Sequence, residues 1–267
     1  MSTAPAYTAF SLHVEDDGVA RVRLTQDARG NPFDQVFCDE LSAIMNACDE
    51  DPAVRAVLIT ASGRFFSVGG DLQSLGRDQA ALARFIKTGT TTLHAGVSRM
   101  ARMDAPVIVA VHALAAGGGV SLSAAADFCI AARSAKFYAA YQGVGLAIDG
   151  GGSHSVPRRV GVRRATEFYL RNQTWSAELA AERGLISEVV DDDALEETAL
   201  ALARELAAGP TKSYGEVKNL LLSSYEQSLE GQMELEARAM YRTTQTADTW
   251  KAITAAATKR RPTFTGS

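Results

Sequence analysis

The stretch FYAAYQGVGLAIDGGGSHSVP, residues 137–157, holds one formally charged side chain, Asp149, set between an apolar run and three glycines. A lone carboxylate there has two roles open to it. It can cap a helix starting after the glycines, since Asp is a preferred N-cap residue. It can also serve as a base, because an apolar pocket disfavours the charged form and raises basicity. We read Asp149 as the catalytic carboxylate. Two other segments supply complementary chemistry. GRFFSVGGDLQ (63–73) and HALAAGGGVSLS (112–123) each read as a strand running into a glycine turn and then a helix. Glycine allows unusual φ and close approach to the main chain. Helix N-termini present free N–H donors and partial positive charge. Two such turns aimed at one point would form an oxyanion hole for charge developing on a carbonyl oxygen. The alternative is close helix–strand packing with no ligand. Neither segment has the Walker A or G-x-G-x-x-G spacing of nucleotide sites.

These groups need a scaffold, and the sequence describes one. FSLHVEDDGVARVRLT (10–25) predicts a hairpin around an Asp-Gly turn. Residues 34–51 carry apolar side chains at helical spacing, with Asp34 as the expected N-cap. Buried strands are expected at 54–60, 106–112 and 128–132, with helices at 78–102 and in the small-residue segment 117–127. Strands alternate with helices to about residue 190, which argues for α/β layering. A helix over 194–209 ends at Gly209-Pro210, a stop signal. Residues 211–258 are helical in periodicity. The expected division is therefore 1–209, an α/β core carrying the site, and 210–267, a helical region.

Composition narrows the function classes. The 267 residues are 46% hydrophobic and 22% charged, with net charge −4. That balance gives no basic surface for nucleic acid. The basic cluster KRR at 259–261 reads as a solvated tail, with a phosphate contact as the lesser alternative. Three cysteines, Cys38, Cys48 and Cys129, form neither a CxxC nor a Cys/His group, so neither a disulfide framework nor a zinc site is expected. No signal peptide, presequence or membrane span is read, and the expected location is cytoplasmic.

The motifs carry a resemblance. FSVGGDL resembles the F-S-A-G-x-D-L motif of the crotonase (enoyl-CoA hydratase/isomerase) family, and PVIVAVHALAAGGGVSLSAAAD resembles its second glycine motif. NPFD (31–34) stands where the family has N-A-L-N, and VGVRRATEFYL and AAERGLISEVV extend the similarity along the chain. The resemblance implies a spiral of ββα units with a C-terminal helical trimerisation region. It implies homotrimers or dimers of trimers, an acyl-CoA substrate, and no cofactor beyond the coenzyme A of the substrate itself. By position, the N–H groups of Gly70 and Gly118 would bind the thioester oxygen. Val68 and the loop at Arg29 would lie beside the coenzyme A adenine and phosphates. Gly69, Asp71, Leu72, Gly117, Tyr141 and His94 complete the expected binding wall, with Asp71 and Asp127 also fixing turns. Many members have Lys or Arg two residues after the motif aspartate; here that residue is Gln73.

The same resemblance speaks to the reaction. Hydratases of the family use two glutamates, and their positions here hold Ser121 and Tyr141. Asp149 instead matches the family's isomerases of the phenylacetate-degradation type, as do GPTKSYGEVKNLLL and KRRPTFTG in the tail. The expected function is an acyl-CoA isomerase that shifts a 3-enoyl double bond to the 2-position, or rearranges a ring-derived thioester. The alternatives are a 4-chlorobenzoyl-CoA dehalogenase-like enzyme, a hydratase-like protein and an inactive thioester binder. The dehalogenases use an aspartate at this place with a histidine and a tryptophan. His94 falls on the histidine position and Tyr141 on the tryptophan position. Tyr138 and Tyr141 are expected either to line the acyl pocket or to pack in the core, and His154 to follow Asp149 on a helix.

Overall fold

The computed structural model describes residues 7–72, 76 and 78–267, so Gln73 lies outside the described residues. The expected hairpin is β1 (Phe10–Val14) against β2 (Val19–Leu24) in antiparallel register. From β3 (Ala56–Ala61) to the eighth strand, successive strands alternate between two sheets. β3, β5 (Val107–Val111), β7 (Phe128–Ala132) and β10 (Glu188–Val190) extend the hairpin into a six-stranded sheet, parallel from β2 onward. β4 (Phe65–Ser67), β6 (Leu114–Ala116), β8 (Lys136–Tyr138) and β9 (Thr174–Ser176) form a four-stranded sheet. Each pair β3–β4, β5–β6 and β7–β8 leads into a helical segment, which is the ββα spiral.

Local sequence explains the helices. α1 (Gln35–Glu50) is capped by Asp34, whose carboxylate accepts from the Phe37 N–H at 3.0 Å. α2 (Gln79–Arg102) is capped in the same way by Asp78. The central strands read as continuous apolar runs because both faces are covered. Val57, Ile59, Val107 and Val109 pack into the main core. Ala56, Leu58, Ile108 and Ala110 face α7 (Leu195–Ala207), whose Ala199, Ala203 and Ala207 recur every four residues and let helix and sheet approach closely. Two short helices, α3 (Gly118–Ala125) and α4 (Gly152–Val160), follow β6 and the Asp149 segment. α5 (Val162–Leu170) and α6 (Ala177–Glu182) flank β9.

Beyond Pro210 the described chain is helical: α8 (Thr211–Ser223), α9 (Leu229–Thr244) and α10 (Ala247–Ala257). Lys218 of α8 is nearly buried and holds Asp127 at 2.8 Å while donating to the Met100 and Ala105 carbonyls. Asp127 also accepts from the Val107 N–H, so it ties α8 to the core. Asp248 is 3% exposed and accepts from the Thr265 and Gly266 N–H groups, fastening residues 265–266 to the start of α10. Burial alone would raise its pKa, but these bonds outweigh it and the net direction is down. A lowered folded pKa stabilises above the unfolded carboxylate's value and loses that stabilisation as pH falls through the folded value. Asp248→Ala is expected to cost about 2 kcal/mol near neutrality. In calorimetric scans the gap to wild type should close below about pH 4; an equal gap at pH 3 and pH 7 would refute it.

Candidate active site

β4 and β6 are parallel neighbours, so the turns at their C-terminal ends emerge side by side. The turns close one wall of a cavity of about 90 Å³ lined by Gly69, Gly70, Gly117, Gly118, Tyr141 and Asp149, with Phe33, Phe85, Leu93 and Leu146 as apolar wall. Gly117 has φ 53° and ψ −113°, a conformation that favours glycine. It turns the chain so that Gly118 opens α3. Among the described residues, the N–H groups of Gly70 and Gly118 donate to no protein acceptor. A Cβ on Gly70 would meet nothing within 4 Å, whereas one on Gly118 would press to 2.6 Å on the Phe33 ring. Main chain approaches open space at one position and a rigid aromatic at the other.

The first turn is wired from below. Ser67 is buried; it donates to the Asn31 carbonyl at 2.8 Å and accepts from the Gly69 N–H at 3.1 Å. The Asn31 side chain donates to the carbonyls of Phe65 and Phe66 at 3.1 Å. Asn31 has φ 52°, which asparagine tolerates better than most residues. The NPFD segment is thus built into the glycine turn, a connection that the motif's position beside α1 did not reveal.

Asp149 does not cap a helix. α4 starts at Gly152 behind Gly151, with no side-chain cap, and Asp149 contributes only its carbonyl to the Gly152 N–H. Its carboxylate is half-buried and accepts from the Tyr141 hydroxyl at 2.6 Å. Burial, then the Asp149 charge, pushes the Tyr141 phenol well above its ordinary pKa, so it remains a donor. Ser121 lies 3.2 Å from the same hydroxyl. The two positions where the resemblance places hydratase glutamates are therefore in contact, and neither carries a charge.

Asp149 also borders a second cavity of about 880 Å³, between α2, α4 and α8, which His94 and His154 share. His94 is exposed on α2, and its Nε2 accepts from the Gly150 N–H at 3.2 Å. Burial, then Arg158, lowers the His154 pKa and keeps the ring neutral near pH 7. Of the two expected tyrosines only Tyr141 lines a cavity: the Tyr138 hydroxyl accepts from Asn172 at 2.8 Å, its main chain pairs with Thr174 in the β8–β9 ladder, and it lines neither cavity. Cys38 does line the smaller cavity. Burial, then the Asp149 charge, pushes its thiol up to about 12, which makes it an apolar wall rather than a nucleophile. Cys38, Phe85 and Ile86 carry no motif signal; they read from sequence as ordinary core positions.

Val68 and the Arg29 loop do meet: the Val68 N–H donates to the Gly30 carbonyl at 2.9 Å. Leu72 is half-exposed beside them on the cavity wall. The Arg29 guanidinium bridges Asp34 at 2.8 Å and Asp71 at 2.6 Å while remaining about half exposed. It joins the α1 cap to the glycine turn. Among the described residues, no group of three His, Cys, Asp or Glu side chains is arranged to hold a metal ion.

The chemistry available is coherent. Two main-chain donors in an apolar cavity can stabilise an enolate oxygen. One carboxylate lining the same cavity can move a proton.

Comparison with known proteins agrees with this geometry. The sequence pattern of the enoyl-CoA hydratase/isomerase family matches residues 15–267. The chain is 36% identical over 258 residues to the 1,2-epoxyphenylacetyl-CoA isomerase of Escherichia coli K12, covering 96% of this chain and 98% of that one. It is 32% identical to 4-chlorobenzoyl coenzyme A dehalogenase-1 of an Arthrobacter species, covering 83% and 81%. The solved structure of the enoyl-CoA hydratase from Bacillus anthracis superposes with a TM-score of 0.90 at 26% identity, covering 97% and 100%. From spiral, glycine turns and sequence together, the chain belongs to the enoyl-CoA hydratase/isomerase, or crotonase, family.

Proposed function

We propose that this protein is an acyl-CoA isomerase that moves a double bond from the 3- to the 2-position of an enoyl thioester, or rearranges a ring-derived thioester. The N–H groups of Gly70 and Gly118 hold the thioester oxygen. Asp149 takes a proton from C2, the electron pair spreads through the dienolate to the bound oxygen, and Asp149 returns the proton at C4. The observation that carries this reading is the placement of Asp149. It shares the cavity with both glycine donors, and its carboxylate is free of any helix cap. The absence of carboxylates at Ser121 and Tyr141 argues against water addition, which needs water activated and delivered.

Coenzyme A would lie along Val68 and the Arg29 loop. A phosphate reaching Arg29 would share the guanidinium with Asp34 and Asp71. Residues 210–267 would form the oligomerisation region of a homotrimer or a pair of trimers. No helix among the described residues is long and apolar enough to cross a membrane.

A dehalogenase-like reading has one specific support: His94 and Tyr141 both reach the Asp149 turn. Against it, the His94 Nε2 lone pair is engaged by the Gly150 N–H, so that nitrogen is not free to activate water. The deciding experiment offers purified protein 3-enoyl-CoA and 4-chlorobenzoyl-CoA separately. Growth of the conjugated 2-enoyl thioester absorbance supports the isomerase. Release of chloride without isomerisation overturns it.

A further inference from the structure

We infer that Tyr141, oriented by Ser121, is a positioning residue that clamps one oxygen of Asp149 and reserves the other for proton transfer. The inference rests on Asp149 being the base. The Tyr141 hydroxyl lies 2.6 Å from Asp149 Oδ1, and Ser121 Oγ lies 3.2 Å from that hydroxyl. Both residues are buried. A phenol has one proton and a carboxylate only accepts. Tyr141 therefore donates to Asp149, and Ser121 must donate to Tyr141, which gives the chain a single direction. The Ser121 oxygen can then accept in turn. A third hydroxyl, on Tyr169, is buried beside Ser121. It converges on the same gap: a Cβ on Gly152 would collide with both Ser121 Oγ and the Tyr169 hydroxyl.

The arrangement answers a geometric problem. A single carboxylate that collects a proton at one carbon and returns it at another must keep one oxygen facing both. A carboxylate free to rotate presents either oxygen at any angle, and misplacement is costly for rate. The 2.6 Å bond removes that freedom. It also explains why the two positions that carry glutamates in hydratases hold neutral hydroxyls here: their donors serve Asp149, not water.

The test is Tyr141→Phe, which keeps the ring and removes the hydroxyl. A bond to a charged acceptor predicts a fall in kcat of about 10- to 100-fold. KM should stay within about twofold. Ser121→Ala should give a smaller fall in the same direction. Thermal unfolding of each variant separates this from misfolding. Unchanged kcat in a folded Tyr141→Phe protein, or a loss confined to KM, would overturn the inference. A second readout needs no turnover. The Asp149 carboxylate stretch, located as the infrared difference between wild type and Asp149→Asn with labelled aspartate, should shift in Tyr141→Phe. A shifted band in a protein that isomerises nothing would leave the clamp standing and defeat the isomerase reading. An unshifted band would defeat the clamp whatever the activity.

Discussion

Asp149→Asn should lower kcat for double-bond migration by about 10²- to 10⁴-fold, the usual contribution of a positioned acid–base group. Asparagine has nearly the same shape. Its carbonyl can still accept from Tyr141, and its main chain still accepts from Gly152. Packing and stability should therefore hold, and the melting temperature should match wild type. KM for the acyl-CoA should change little, because the proposed substrate hold lies at the glycine turns rather than at Asp149. Steady-state kinetics with 3-enoyl-CoA, read beside thermal unfolding, decides this. A variant within tenfold of wild-type kcat would show that the proton moves by another route, leaving Asp149 as a structural acceptor for Tyr141.

Alanine at the two glycine donors should separate folding from catalysis. Each is expected to lower kcat by about 10²- to 10³-fold, the cost of losing or displacing one oxyanion donor. Their stabilities should differ. At Gly70 a methyl group meets no protein atom within 4 Å and the backbone φ is ordinary. Gly70→Ala should fold as well as wild type or slightly better, since alanine restricts the unfolded chain. Its methyl would instead intrude on a cavity of only about 90 Å³. At Gly118 the methyl would press on the Phe33 ring, which is stacked on Phe37 with centroids 3.9 Å apart and has little room to retreat. Overpacking of that kind costs about 1–3 kcal/mol. Urea unfolding should show the loss for Gly118→Ala alone. Equal stabilities, or full activity in Gly70→Ala, would show that the cavity is not the thioester site.

The elements were legible in the sequence where the signals were local. The Asp34 cap lies three residues from the N–H it satisfies, the Asp17-Gly18 turn joins adjacent strands, and the Gly209-Pro210 stop separates α7 from α8. The two glycine turns were legible for the same reason: glycine before a helix is a statement about a few consecutive residues. The four-alanine spacing that lets α7 sit close on the sheet is periodic and local as well. Tyr138 shows the limit. From sequence it is open whether Tyr138 lines the pocket or packs, and its partner, Asn172, is 34 residues away.

What the sequence determined by itself was α/β layering, from short-range periodicity, and the family, from the paired glycine motifs; the spiral and the candidate chemistry followed from that resemblance. Whether Asp149 caps a helix or faces the cavity was decided only by the tertiary structure. The answer depends on Gly151 taking the cap position and on Tyr141 arriving from the single 3-10 turn (Tyr141–Val144) after β8. Tertiary structure also joined Ser121 to Tyr141, tied Arg29 to Asp71 across 42 residues, and drew Cys38 of α1 into the cavity wall. Each of these contacts joins separate elements and leaves no periodic trace. Their geometry is set by how the two sheets and their helices close on one another, which no short stretch of residues specifies alone.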